Sequence, residues 1–231
     1  MTDILQSFGE NIWTLGGDDV RMFGIPFTTR MTIVRLASGD LWLHSPVKPT
    51  AERRAAIQAL GQVAYLVAPN KFHSLGVGAW KEHCLDAEVW VSPEFTTRHK
   101  DAVVEGVLDG GSPWTGEIEH TLFGGNRIFL FDEMIFFHAA SRTLIVTDVI
   151  QRHDPKGQGM FWTGIKRMIG VLGEEGGVAI DLRLTLRDKE AVRQSVAHIL
   201  KWPFDKMIIS HGFCAQEDAR AIFERSFEWL N

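Results

Sequence analysis

A chain of 231 residues and 26.0 kDa, 45% of them apolar, is long enough to bury a sizeable core without a linker, as one domain spanning 1–231 or as two small repeats. A net charge of −5 and a pI near 6.0 exclude the clustered Lys and Arg of a nucleic-acid footprint; the basic groups at Arg53-Arg54, Lys166-Arg167 and Arg183 to Arg187 are short and scattered. No apolar run approaches the ~18 residues that would span a bilayer, and the start, MTDILQSFGENIW, lacks a basic segment followed by an apolar one, so a cytoplasmic protein with no membrane partner is expected. Cys84 and Cys214 are then expected as reduced thiols.

In chain order, Asn11 to Leu15 and Met31 to Leu36 read as strands separated by the irregular MFGIPFTTR. Ala-Ser-Gly-Asp at 37–40 is a turn, and Leu41 to Ser45 returns as a strand with His44 at its end, before Pro46. Thr50 caps a helix over Ala51 to Leu60. Val63 to Val67 is a short apolar strand running into Ala68-Pro69-Asn70-Lys71-Phe72-His73. A helix at Leu75 to Cys84, a strand at Ala87 to Val91 and a helix from Pro93 to about Val104 follow, and LDGGSPWTGEIEH, 108–120, has no period and reads as a loop. Trp80, Trp114 and Trp162 lie near Gly-rich stretches and are candidate pocket walls.

After a strand at Arg127 to Phe131, the stretch EMIFFHAASRTLIVTD reads as a hairpin. With Ala139 to Arg142 as the turn, His138 faces Thr143 and Glu133 faces Asp148, because paired positions sum to a constant along an antiparallel ladder. Met160 to Leu172 reads as an apolar-aromatic helix with one side exposed as a lid or homodimer face, and His153 before it as a solvated loop residue. Asp188 caps a helix through Lys201, Phe204 to Ile209 is the last strand and ends in Ser210-His211-Gly212, and Gln216 to Leu230 is the closing helix. Hairpin-joined strand clusters, each followed by helices, suggest two face-to-face sheets with helices outside, an α+β fold of the αββα sandwich type; periodicity alone leaves a three-layer α/β fold open.

Three strand ends deliver a metal-capable side chain: His73, Asp148 and His211. Imidazole and carboxylate are ligands that zinc, iron or manganese accepts. A carboxylate closing an apolar strand must find a cation, a donor set or water, so Asp148 is either a site residue or a cap. Without a metal, His73 or His211 is left as a general base.

The runs MTIVRL, SGDLWLHSPV, VAPNKFHSLGVGAWKE, EMIFFHAASRTLIVTD and FDKMIISHG resemble the DUF4336 family, which is similar to the metallo-β-lactamase superfamily, and the likeness covers nearly the whole chain in order. The resemblance implies the four-layer αββα fold. TLIVTD matches the strand that bears the superfamily's bridging Asp, which implies a ligand role for Asp148, and ISHG matches its final His motif, which implies one for His211. APNKFHSLGVG stands in place of the first metal motif; of its three His and one Asp, only His73 remains, with Asn70 and Ser74 nearby. His44 departs from the Asp that ends the corresponding strand, and Phe131-Asp132-Glu133 offers no counterpart to the His at the start of the central hairpin.

The resemblance therefore implies not the usual dinuclear zinc site but one divalent metal (zinc, iron or manganese) or none. Two functions follow as expectations. One is a mononuclear hydrolase of a small-molecule ester, amide or phosphoester, with His73, Asp148 and His211 as ligands, Glu133 or Asp132 as accessory ligand or base, and His44 and Asn70 supporting the site as donors behind the ligands. The other is a metal-free, inactive binding or scaffold protein on the same fold.

Overall fold

The computed structural model describes residues 5–22, 24–95, 102–124 and 133–230. Seven strands form the first sheet in the order β1-β2-β5-β6-β7-β8-β9: Gln6–Gly9, Ile12–Gly16, Arg30–Arg35, Leu41–His44, Val63–Ala68, Glu88–Val91 and Gly106–Val107. β1 to β6 pair antiparallel and β6 to β9 parallel. A parallel pair needs a crossover, and α1 (Ala51–Gln58) supplies the one from β6 to β7, with the Thr50 side chain accepting from the Arg53 N–H as the expected cap. α2 (Val77–Lys81) lies between β7 and β8.

The second sheet runs β10-β11-β12-β13: Ile118–Phe123, Glu133–His138, Thr143–Val146 and Lys206–Ile209. His138 pairs with Thr143, the register the turn at 139–142 requires. β12 and β13 are parallel, and their crossover carries α3 (Gly159–Met168), α4 (Ile180–Thr185) and α5 (Lys189–Ile199). α6 (Ala219–Ser226) closes the described chain, followed by a short 3-10 turn at Glu228–Leu230.

Alternation along the strands assigns the layers, since successive side chains point to opposite faces. Val34, Trp42 and Val67 of the first sheet meet Met134, Phe136, Ile145 and Ile208 of the second in a core between the sheets. Their neighbours Ile33, Leu43 and Leu66 point the other way, under Ile57 of α1 and Trp80 of α2. Ile135, Phe137, Leu144 and Ile209 pack outward against α5 and α6. The fold is the αββα sandwich, and it takes Trp80 and Trp114, both 1% exposed, into its cores rather than into a pocket wall.

Several elements differ from the sequence reading. MFGIPFTTR is not irregular: Val20–Met22 (β3) and Ile25–Phe27 (β4) form a separate two-stranded hairpin. Six residues from Ile118 join the second sheet, where a loop was expected to run to His120. The helix expected from Pro93 to Val104 and the strand at 127–131 fall largely on residues outside those described. α3, by contrast, exposes apolar side chains as the sequence reading expected, with Met160, Phe161 and Met168 at least 70% exposed, while Lys166 is its buried residue.

Two of the parallel strand pairs, β6 with β7 and β12 with β13, end on one rim of the sandwich, where polar groups lie clear of the packed cores. Two glycines let loops close there. A Cβ on Gly76 would collide with the Pro46 carbonyl, to which the Gly76 N–H donates at 3.1 Å, so the loop bearing His73 lies against the end of β6. Gly212, at φ +101°, passes so close to the Arg152 carbonyl that no side chain fits; Arg152 N–H donates to the His211 carbonyl at 3.0 Å and fixes the strand end.

Candidate metal centre

His73, Asp148 and His211 converge on the rim, each offering one ligand atom, all within 4.8 Å of one another. His73 Nε2 lies 3.2 Å from Asp148 Oδ2 and 3.2 Å from His211 Nε2, and His211 Nε2 lies 3.0 Å from Asp148 Oδ1. All three side chains are at most 14% exposed.

The outer atoms of the three groups are already committed. His211 Nδ1 lies 2.7 Å from the Thr28 carbonyl, which only accepts, so Nδ1 carries the proton and a neutral ring presents the Nε2 lone pair inward. Ser45 Oγ is 2.6 Å from His73 Nδ1 and can hold that ring in the same tautomer. Asn70 Nδ2 donates to Asp148 Oδ2 at 2.9 Å, while its Oδ1 accepts from the Phe72 and His73 N–H groups at 2.8 and 2.9 Å. One amide thereby ties the loop of His73 to the carboxylate of Asp148.

Two inward lone pairs and a carboxylate repel one another unless a cation, either a proton or a metal, sits among them. The titration directions agree. Burial acts to raise the pKa of Asp148, but the charges and hydrogen bonds of His73 and His211 outweigh it and hold the carboxyl far below its usual range. Burial acts to lower that of His73, and the Asp148 carboxylate reverses this and raises it.

Glu133 comes beside Asp148, as the hairpin register requires, but it does not face the cavity. It is fully buried, and its two oxygens accept from the N–H groups of Thr147, Asp148 and Val149 at 2.6, 2.8 and 2.9 Å. Burial and then the Asp148 charge push its pKa up to about 7 against the pull of those three donors. It braces the backbone that presents Asp148. Asp132 lies outside the described residues. His44 is fully buried, stacked on Trp42 at 5.4 Å, and neither ring nitrogen has a partner among the described residues; burial, then His73, depresses its pKa.

Residues that the sequence reading passed over complete the surroundings. Ser45 adopts φ +53°, a backbone state set by the junction rather than by residue type. His153, expected in solvent, is buried against His211 with ring centroids 6.0 Å apart; it sits 3.2 Å from Lys166 Nζ and 2.9 Å from Gln151 Oε1. Burial, then the Lys166 charge, lowers His153 to about 3, and burial lowers Lys166 to about 8. Cys84 and Cys214 are both free.

A cavity of about 610 Å³ opens over this floor, within the range of small-molecule sites. The β3–β4 hairpin, the segment after β6, and the 72–76 loop with the start of α2 form its sides.

Two outcomes follow. Ser45→Ala leaves His73 without its outer partner and is expected to weaken metal binding about 10–100-fold, read by competition with a chromophoric chelator. The pH response has two limbs. The depressed Asp148 stabilises the fold above about pH 4 and loses this as pH falls; the raised His73 stabilises it below about pH 6.5 and loses this as pH rises through its folded value. Thermal melts in chelator should therefore show the contribution of this pair between about pH 4 and 6.5. Metal requires neutral imidazoles, so its added stabilisation should appear above that window.

The fold is found among known proteins. The sequence family described as "Domain of unknown function (DUF4336)" matches residues 9–156. No curated protein matches the chain. Among solved structures, the DIM-1 metallo-β-lactamase exposed to ceftazidime superposes with a TM-score of 0.66 at 14% identity, covering 98% of this chain and 95% of its own. A metallo-β-lactamase from Pontibacter korlensis gives 0.65 at 12% identity over 98% of each chain. The metallo-β-lactamase FIM-1 from Pseudomonas aeruginosa in its mono-zinc form gives 0.64 at 13% identity, over 98% and 94%. At these identities the likeness shows the metallo-β-lactamase-like fold.

Proposed function

The chain belongs to the DUF4336 family, and from that premise we propose that it is a hydrolase working with one divalent metal held by His73, Asp148 and His211. The observation that carries the reading is the approach of two Nε2 atoms to 3.2 Å beside a carboxylate, with the outer nitrogen of each ring already engaged. Two imidazoles and a carboxylate suit zinc, iron or manganese, and three protein ligands leave a position open. When bound, such a metal supplies Lewis acidity and a water acidified toward neutral pH.

The chain's own residues do the rest. Thr28 and Ser45 fix the ring orientations, and Asn70 and Glu133 fix Asp148. Asp148 is the carboxylate on the cavity floor and is committed as a ligand, with Oδ1 against His211 and Oδ2 against His73 and Asn70, while backbone N–H groups occupy both oxygens of Glu133. The bond cleaved is an ester, amide or phosphoester of a small molecule.

The second reading, a metal-free binding or scaffold protein, is favoured by the first-motif loop, which keeps one imidazole and offers Asn70 and Ser74 in place of further ligands. Elemental analysis of untagged protein, with melts before and after chelation, separates the two. Near-stoichiometric zinc, iron or manganese and a chelator-sensitive melt are expected. Metal-free protein with an unmoved melt after growth in metal-supplemented medium would sink the hydrolase reading.

A further inference from the structure

Above its polar floor the cavity changes character twice. Its walls are apolar and come from three separate segments: Val20, Met22 and Phe27 of the β3–β4 hairpin, Val47 after β6, and Phe72 and Leu75 of the loop before α2. Met22 and Leu75 are 40% and 74% exposed, so they extend the apolar surface to both lips of the opening. A surface that leaves large apolar side chains in water beside a cavity is built to cover them with a ligand.

The mouth also carries charge. Asp18, Arg21 and Lys48 line it. The Asp18 carboxylate is paired with the buried Arg53 guanidinium at 3.2 Å, and Arg53 also donates to the Lys48 carbonyl at 3.0 Å, so this acid is neutralised from within the fold. Arg21 Nη1 donates only to the Gly24 carbonyl among the described residues, at 3.1 Å, and Lys48 is exposed without an acidic partner among them. A chain of net charge −5 thus places, at the opening that leads to Asp148, two cations without an acidic partner among the described residues.

We infer that the ligand of this cavity is an amphiphilic anion: an apolar acyl or aryl body along the walls, with a carboxylate or phosphate at the rim against Arg21 and Lys48. That its other end carries the hydrolysable bond over His73, Asp148 and His211 rests on the proposed hydrolase activity; the preference for an anionic, apolar ligand does not.

Calorimetric titration of chelator-treated protein with decanoate, decyl phosphate and decanol, each below its micelle concentration, tests the inference without any turnover. At least one anion is expected to bind about tenfold more tightly than the alcohol, with the advantage shrinking in high salt. Which anion wins identifies the acid group. Arg21→Met with Lys48→Met keeps the apolar stems of two exposed side chains and should erase the advantage while leaving decanol binding in place. Leu75→Asp should weaken all three ligands. Equal binding of acid and alcohol, or an advantage that survives the double substitution, overturns the inference. A preserved advantage in protein that never takes up metal would instead refute the hydrolase reading and leave this one standing.

Discussion

Glu133→Ala is expected to be the most damaging single substitution in the chain. It removes the acceptor of three N–H groups in a stretch of fully or largely buried backbone, and each unsatisfied buried donor costs about 1–3 kcal/mol. The loss, roughly 3–9 kcal/mol, is a large share of the ~5–15 kcal/mol that keeps a typical domain folded. Urea titration followed by circular dichroism should place its midpoint far below the wild type, and the melt should fall by ~10–20 °C at the 2–4 °C per kcal/mol usual for this length. Glu133→Gln keeps one acceptor oxygen and should lie between. A Glu133→Ala variant melting within a few degrees of wild type would show that water or other groups satisfy residues 147–149.

Asp148→Asn should act on a different quantity. It retains the shape and an oxygen for the Asn70 amide but removes the one carboxylate that touches both imidazoles. Metal content measured by plasma mass spectrometry should fall at least tenfold, and hydrolysis of any identified substrate by about a thousandfold, the scale seen when a single preorganised electrostatic group is lost. Stability without metal should fall between about pH 4 and 6.5, where the His73–Asp148 pair contributes, and change little above that window. What disappears is the gain on adding metal, about 2.7 kcal/mol for wild type at a hundredfold excess over Kd. Above about pH 6.5, Glu133→Ala lowers stability with or without metal, whereas Asp148→Asn removes only the difference between the two; a variant that still melts higher with metal would place the cation elsewhere.

Much of the sandwich was legible because its strands are written as short apolar runs with turn residues between them. The turn at 139–142 set the ladder that pairs His138 with Thr143 and carries Glu133 to the backbone of Asp148. The convergence of His73, Asp148 and His211 followed from a general property of layered folds, the gathering of strand ends on one rim. What the sequence hid depends on distant packing. β3 and β4 are three residues each, too short for an alternation to register, yet they wall the cavity. Ser45 and the Thr28 carbonyl act through backbone placement that no residue type announces. His153 looked solvated in a polar loop, and it is buried because backbone pairing of Arg152 with Gly212 and of His153 with Leu172 draws that loop inward. Glu133 looked like a candidate base, and only the three N–H groups show that its charge is spent on the backbone.

The order in which these residues leave the ribosome gives the parallel pairing of β12 with β13 a biosynthetic meaning. His211 lies 63 positions after Asp148 and 138 after His73. The third ligand is therefore made last and reaches the others only when β13 slots in beside β12, with Arg30 anchoring its end through the Ile209 and Gly212 carbonyls. Contacts of such long range form late. A nascent chain, or one cut short before β13, presents His73 and Asp148 alone, two of the three candidate ligands. Under the proposed metal-dependent function, loading is therefore expected as a finishing step, and metal starvation is expected to leave folded, empty protein rather than stalled intermediates.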